Sequence, residues 1–257
     1  MNIKKAILVI IFTALGTLAV LSLSWRSENP VEVISVSGNY SISREEILNY
    51  AHLNDTLINP ESIGIDLIQD RISKHPEIKS VYVSLVQPSE LKIEVVEKRP
   101  VAILNGESEM YLIDDGLDVF PFRNYSKLYD LPVISGVRID MNPKSKNKFN
   151  TEDLRTALFI ILNSYKDSKA MYNNISEIKL SDTNKLIIYL TEDSTPFYFP
   201  RYSDKKIADK SYQKELMDKL KIFKNYLNQS LADQLKEKVN YIDLRFKNQI
   251  IVNSNNQ

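Results

Sequence analysis

Cysteine is absent from the 257 residues of this chain. That excludes disulfides, thiol nucleophiles and cysteine-based metal sites. It also fits a chain exported to a compartment where free thiols oxidise. Histidine is almost as scarce, with only His52 and His75. A zinc site needs several ligands at set spacings, and no H-E-x-x-H or paired-cysteine pattern is present. With only six glycines there is no Gly-rich phosphate loop, and no G-x-S-x-G elbow supports a nucleophilic serine. An excess of charge is missing too. Lys+Arg and Asp+Glu are both 33, which argues against a nucleic-acid binder. What remains is 43% hydrophobic and 26% charged, the balance of a chain that buries a core, with length for two modest domains.

The residues that invite a chemical reading have simpler ones. His52 lies near a helix end and His75 beside the helix-stopping Pro76, both ordinary places for a polar terminal residue. Asp114-Asp115-Gly116 is a turn, because neighbouring carboxylates on a strand point apart. Lys205–Lys238 is lysine-rich, but Asp209, Glu215, Asp218 and Glu237 interleave, which describes a solvated face. Glu97-Lys98-Arg99 reads either as a strand end with snorkelling side chains and a proline hinge, or as a contact surface for membrane-embedded partners.

One long apolar run stands out. After a short tail (residues 1–5, with Lys4 and Lys5), residues 6–25 carry no charge, and about 20 such residues span a bilayer as a helix. Lysines before the run and Arg26 after it put the N-terminus in the cytoplasm. A cleaved signal peptide, with Ser22 and Ser24 at the cleavage site, is the competing reading. Both readings place the rest outside the cytoplasm.

Residues 26–30 read as a linker. Residues 31–98 then predict strand, helix, helix, strand, strand. Val31–Ser37 is β-branched and ends at a turn. Ser43-x-x-Glu46 is a capping box. Asn59 caps a second helix with Pro60 in its first turn, and Ile65, Ile68 and Ile72 form its buried stripe. Pro76 ends it. Val81, Val83 and Leu85, then Leu91, Ile93 and Val95, alternate with polar residues around Pro88-Ser89, a hairpin with one buried face.

Residues 99–252 predict short strands and two helices. Strand candidates are VAILN, MYLID, LDVFPF, LPVIS, Ile175–Leu180, Leu186–Leu190, Phe197–Phe199, Val239–Phe246 and Gln249–Val252. One helix is capped by Thr151. The other runs from about Lys205 to Asn228, with Leu216, Leu220, Phe223 and Leu227 on its core face. Residues 253–257 are polar and predicted to fray.

The stretch HPEIKSVYVSLVQPSELKIEVVEKRPVA (His75–Ala102), at the end of a strand–helix–helix–hairpin pattern, resembles the POTRA domain of the FtsQ/DivIB bacterial cell-division proteins. YLIDDGLDVFP, LPVISG and YIDLRF resemble that family's terminal β domain. The resemblance implies an α+β protein with a single N-terminal transmembrane helix, a POTRA domain (β-α-α-β-β) and a mixed β domain with two helices. It further implies a non-enzymatic scaffold in the inner membrane, at the division septum, needing no cofactor, metal or small-molecule substrate. Its partners are FtsB-like and FtsL-like division proteins, and together they help control septal wall synthesis.

In such proteins the last strand receives a strand from FtsB. Carried over by position, this points to Phe246, Asn248, Gln249, Ile250, Ile251 and Val252, with Arg201 standing in for a family arginine. Two alternatives remain: a POTRA-containing outer-membrane assembly factor, whose membrane strands would run about 9–11 residues, and a membrane-anchored cell-wall enzyme.

Overall fold

The structure is a computed structural model that describes residues 3–24, 31–53, 64–86, 89–123, 129–141, 148–191, 195–233 and 239–254. The chain divides into two compact units, Met1–Lys98 and Arg99–Gln257. The first opens with α1 (Ile3–Ser24), a 22-residue helix. Side chains are described for its residues 10–20, and all of these are exposed, Ile10, Phe12, Leu15 and Leu18 among them. Among the described residues no helix is long and apolar enough to cross a membrane. The anchor expected over residues 6–25 therefore stands on the sequence alone.

The same unit continues with β1 (Val33–Ser37), α2 (Arg44–Ala51), α3 (Ile65–Ser73), β2 (Ile78–Val86) and β3 (Glu90–Glu97). The sheet order is β1-β3-β2, with β1 parallel and β2 antiparallel to β3. A parallel neighbour needs a long crossover, and the helices lie within that crossover. Ile47 of α2, Ile68 and Ile72 of α3 and Ile93 of β3 are wholly buried in one core, each worth about 1.5–3 kcal/mol of transfer from water.

The Ser43 hydroxyl accepts the Glu46 N–H at 3.1 Å, which is half of a capping box. The Glu46 carboxylate meets His75 Nε2 at 3.0 Å. His75 Nδ1 accepts the Glu77 N–H at 3.1 Å, so the ring proton sits on Nε2 and is donated to Glu46. His75 is thus a buried brace between α2 and the start of the hairpin. His52 closes α2 in the left-handed conformation, φ 59°. The second helix begins at Ile65 behind Gly64, while Asn59 and Pro60, where its start was expected, lie outside the described residues.

Two local contacts hold the loop between β1 and α2. A Cβ on Gly38 (φ +80°) would stand 2.1 Å from the Val95 carbonyl oxygen, so only glycine fits. The Glu97 carboxylate accepts the N–H groups of Tyr40, Ser41 and Ile42 at 2.8 to 3.1 Å, and the Ser41 hydroxyl as well. Burial alone would raise the Glu97 carboxyl, but these donors outweigh it and hold the carboxyl below its usual range. Glu97 is therefore turned inward, and the contact-surface reading of Glu97-Lys98-Arg99 loses its acidic member.

The second unit contains β4 (Pro100–Asn105), β5 (Met110–Asp114), β6 (Val119–Pro121), β7 (Val133–Ser135), α4 (Thr151–Asp167), α5 (Lys169–Asn173), β8 (Ile175–Lys179), β9 (Lys185–Leu190), β10 (Pro196–Pro200), α6 (Lys210–Asp233), β11 (Val239–Asp243) and β12 (Ile251–Ser254). The strands make one sheet in the order β12-β11-β10-β9-β8-β7-β4-β5-β6. Leu154, Ala157 and Ile161 of α4 share its core with Leu216, Leu220, Phe223 and Leu227 of α6. The Phe223 ring meets Phe197 edge-on at 4.8 Å. Among the described residues no strand of this sheet exceeds six residues, well short of a membrane-spanning strand.

Among the described residues the second unit holds three helices rather than the expected two, because the short α5 follows α4 behind its own Ser168 cap. Several boundaries also differ from expectation, and β11 ends at Asp243 rather than Phe246 because Arg245 folds back onto Asp243 in a turn. The cap of α4 is Asn150, whose side chain accepts the Asp153 N–H at 3.1 Å; Thr151 is the first helical residue. The last helix starts at Lys210 rather than Lys205 and runs on to Asp233. The last strand starts at Ile251 rather than Gln249 and continues through Asn253 and Ser254, where fraying was expected. Backbone pairing with Tyr241 and Val239 holds those polar residues whatever their side chains.

The C-terminal edge as candidate functional site

Strand β12 is one margin of the nine-stranded sheet. Which of its backbone groups face outward follows from its neighbours. The Leu244 N–H donates to the Tyr198 carbonyl at 2.9 Å, so Leu244 and Ile242 turn their backbone toward β10. Asp243 and Tyr241 then face β12, and their partners Ile251 and Asn253 face back at them. Val252, between these two, turns its N–H and C=O away from the sheet. Its side chain lies on the α6 side, opposite Ile242.

The approach to this edge is a built turn. Asp243 Oδ1 and Oδ2 accept Arg245 Nε and Nη2 at 2.9 and 2.6 Å, and Oδ1 also takes the Arg245 N–H at 3.0 Å. Burial pushes the Asp243 carboxyl up, but the Arg245 hydrogen bonds prevail and hold it below the ordinary range. Lys219, only 6% exposed, reaches from α6 to the Phe246 carbonyl at 2.7 Å. Asn248 follows in the left-handed conformation, φ 61°. This turn delays the strand to Ile251.

Between α6 and the segment 245–250 lies an open groove of about 920 Å³, lined by Tyr202, Lys214, Lys219 and Ile222 on one side and by Phe246 and Ile250 on the other. A smaller apolar recess of about 290 Å³ continues from it, lined by Ile222, Tyr226, Leu244, Ile250 and Val252. Ile250 and Val252 are each 52% exposed, Phe246 44% and Ile251 41%, although all four are large and apolar. Asn248 and Gln249 are exposed in the turn. An exposed edge beside an apolar groove can take an extended segment by backbone hydrogen bonds and seat its alternate side chains.

Arg201 is placed elsewhere. Its guanidinium, 9% exposed, donates to Asp153 Oδ1 at 2.7 Å, to the Asp182 carbonyl at 2.5 Å and to the Leu180 carbonyl. Arg138 closes on the same Asp153 from the other side, at 2.7 and 2.9 Å. Burial would raise the Asp153 carboxyl, but the Arg138 hydrogen bonds and the Arg201 charge hold it low. Arg201 is an internal brace of the loop after β8 against the N-terminus of α4. The sequence reading missed Lys219, Ile222 and Tyr226. Their signal was the spacing 219, 222, 226, which is a helical stripe beside the buried one. Among the described residues no group of three or more His, Asp or Glu could hold a metal ion.

Comparison with known proteins gives this arrangement a family. A profile described as "POTRA domain, FtsQ-type" matches residues 29–98, and one described as "Cell division protein FtsQ/DivIB, C-terminal" matches residues 102–245. The second match stops at Arg245, within the turn and before β12. Proteins named "Cell division protein FtsQ" are similar along most of the chain. The one from Syntrophotalea carbinolica is 29% identical over 86% of this chain and 73% of its own. The one from Rhodothermus marinus is 23% identical over 98% of this chain and 88% of its own. The one from Koribacter versatilis is 24% identical over 90% of this chain, a match that spans 62% of that protein's length. The C-terminal match alone takes in more than half of the residues, and with the POTRA match it leaves little of the chain outside: the chain belongs to the FtsQ/DivIB family of cell division proteins.

Proposed function

We propose that this protein is a single-pass scaffold of the division machinery in the inner membrane. Its N-terminus lies in the cytoplasm, residues 6–25 form the anchor, and the POTRA domain (31–98) and β domain (99–252) lie outside. The β domain captures an extended segment of an FtsB-like protein on β12. In doing so it gathers an FtsB-like and FtsL-like pair at the septum and helps control wall synthesis there. The observation that carries this reading is the exposed edge of β12, with apolar Val252 and the preceding Ile250 lining an apolar recess and Ile251 exposed between them. The anchor reading draws on the uncharged run from Ala6 to Trp25 and on the exposed apolar side chains of α1. Confinement to one membrane raises the local concentration of the partners. Phe246, Asn248 and Gln249 border the incoming segment. Arg201 contributes only by bracing the domain.

A photo-crosslinking scan in cells, one probe at a time from Phe246 to Ser254, tests the reading. The expected result is capture of a small single-pass partner, strongest at alternate positions. Silence at every position, with the protein present at the membrane, would refute it.

A further inference from the structure

The three-stranded sheet has an edge of its own, β2. The Val83 N–H donates to Gln69 Oε1 of α3 at 3.3 Å, so it points away from β3. Alternation turns the backbone of Val81 and Leu85 the same way, while Tyr82 and Ser84 pair with Glu94 and Lys92 of β3. The Gln69 carboxamide stands where the carbonyl of an added strand would stand. From Ser80 to Val86 the strand has no charge, proline or glycine, so its own residues supply none of the devices that protect an edge, and the Gln69 carboxamide covers only the Val83 N–H. Tyr82 is 61% exposed, and Leu85 and Val86 are 41% exposed.

We propose that β2 pairs with β2 of a second copy of this chain, antiparallel about Val83, displacing Gln69 from both. The strand's own sequence argues for that occupant. Centred on Val83, the pairing sets Val83 against itself, Val81 against Leu85 and Tyr82 against Ser84. Apolar side chains meet apolar ones on the helix side, and no like charges meet. Val81, Val83 and Leu85 of each copy exchange about six backbone hydrogen bonds. A two-fold axis supplies this match automatically, because each patch is its own complement. The interface is one strand wide, so the dimer is weak and reversible.

The absence of cysteine makes the test direct. Tyr82→Cys and Ser84→Cys are made separately in the full-length chain and placed in phospholipid vesicles, singly and mixed, under a mild oxidant. In the proposed register residues 82 and 84 of opposite copies form a non-hydrogen-bonded pair, with Cα atoms about 4.5 Å apart and within disulfide reach. Like residues lie on a diagonal about 7–8 Å apart. The mixture should therefore crosslink about tenfold faster than either variant alone. Adding Gln69→Ala should speed it further by freeing the Val83 N–H. Adding Leu85→Pro, which removes an outward donor, should slow it to the rate of the single variants, with circular dichroism reporting the fold. A mixture no faster than its components, or one slowed by Gln69→Ala, overturns the proposal.

Discussion

Replacing Val252 with proline removes one backbone donor from the outer margin of β12. Val252 faces its N–H outward, whereas Ile251 and Asn253 supply the pairing with β11. Proline at 252 therefore leaves the native ladder intact, as edge proline usually does. In the captured state the partner's carbonyl is left against a ring with no donor, and losing one side of a hydrogen bond in this way costs about 1–3 kcal/mol. That is a loss of roughly 5- to 150-fold in affinity. Val252→Ala separates the backbone from the side chain: it empties part of the recess shared with Ile222 and Tyr226 but keeps the N–H. Ile251→Pro serves as a contrast, because it removes a donor from the β11 pairing and should lower the stability of the domain itself. The assay is a titration of the full-length protein in detergent with a labelled extracytoplasmic segment of the FtsB-like partner, with urea midpoints confirming that each variant is folded. A folded Val252→Pro that binds within about threefold of Val252→Ala would refute backbone capture at this edge.

Two further outcomes follow from buried charges. Asp153→Ala leaves the 9%-exposed Arg201 guanidinium without its carboxylate, and should lower the stability of the second unit by about 3–5 kcal/mol in urea unfolding; a loss below about 1 kcal/mol would mean that the brace is idle. The carboxyls of Glu97, Asp153 and Asp243 are all held below their ordinary range. The unfolded chain thus binds protons more readily than the folded one, so their contribution is complete above about pH 5 and is lost as pH falls below about 4. Melting temperatures between pH 7 and pH 3 should fall on the acid side, and a rise there would contradict the assignment.

The sequence announced the layout well where one physical signal dominated. The isoleucine stripe, the proline stop and the period-two alternation gave α3, β2 and β3, because each has a single buried face. Phe223 and its stripe gave α6 for the same reason. Ends were harder to read. Asn150 and Thr151 are both good caps, and only the observed bond to the Asp153 N–H decides between them. Asn253 and Ser254 look like a fraying tail, yet they belong to the sheet, because pairing uses the backbone and leaves no mark on composition. Arg201 and Glu97 show the same limit for charges. A lone charged residue near a strand end reads as surface, and its role emerged only when Asp153, Arg138 and the 40–42 loop were found around it.

The nine-stranded sheet has two margins, and they are finished differently. β6 has three residues and ends in Pro121, which offers no donor to an added strand. β12 carries no proline, and its outward-facing Val252 lies between exposed Ile251 and the polar end of the strand. Lys219 and the Asp243–Arg245 pair are spent on holding the turn that presents it. A margin left open by neglect would need no such support. Fixing the Phe246 carbonyl and placing Asn248 in a left-handed conformation constrain a segment with little core to pack against, and ordering a residue costs about 1–2 kcal/mol of chain entropy. If β12 captures an extended segment as proposed, its preorganisation moves the entropy of ordering from the moment of capture to the moment of folding, which strengthens the grip without adding a contact.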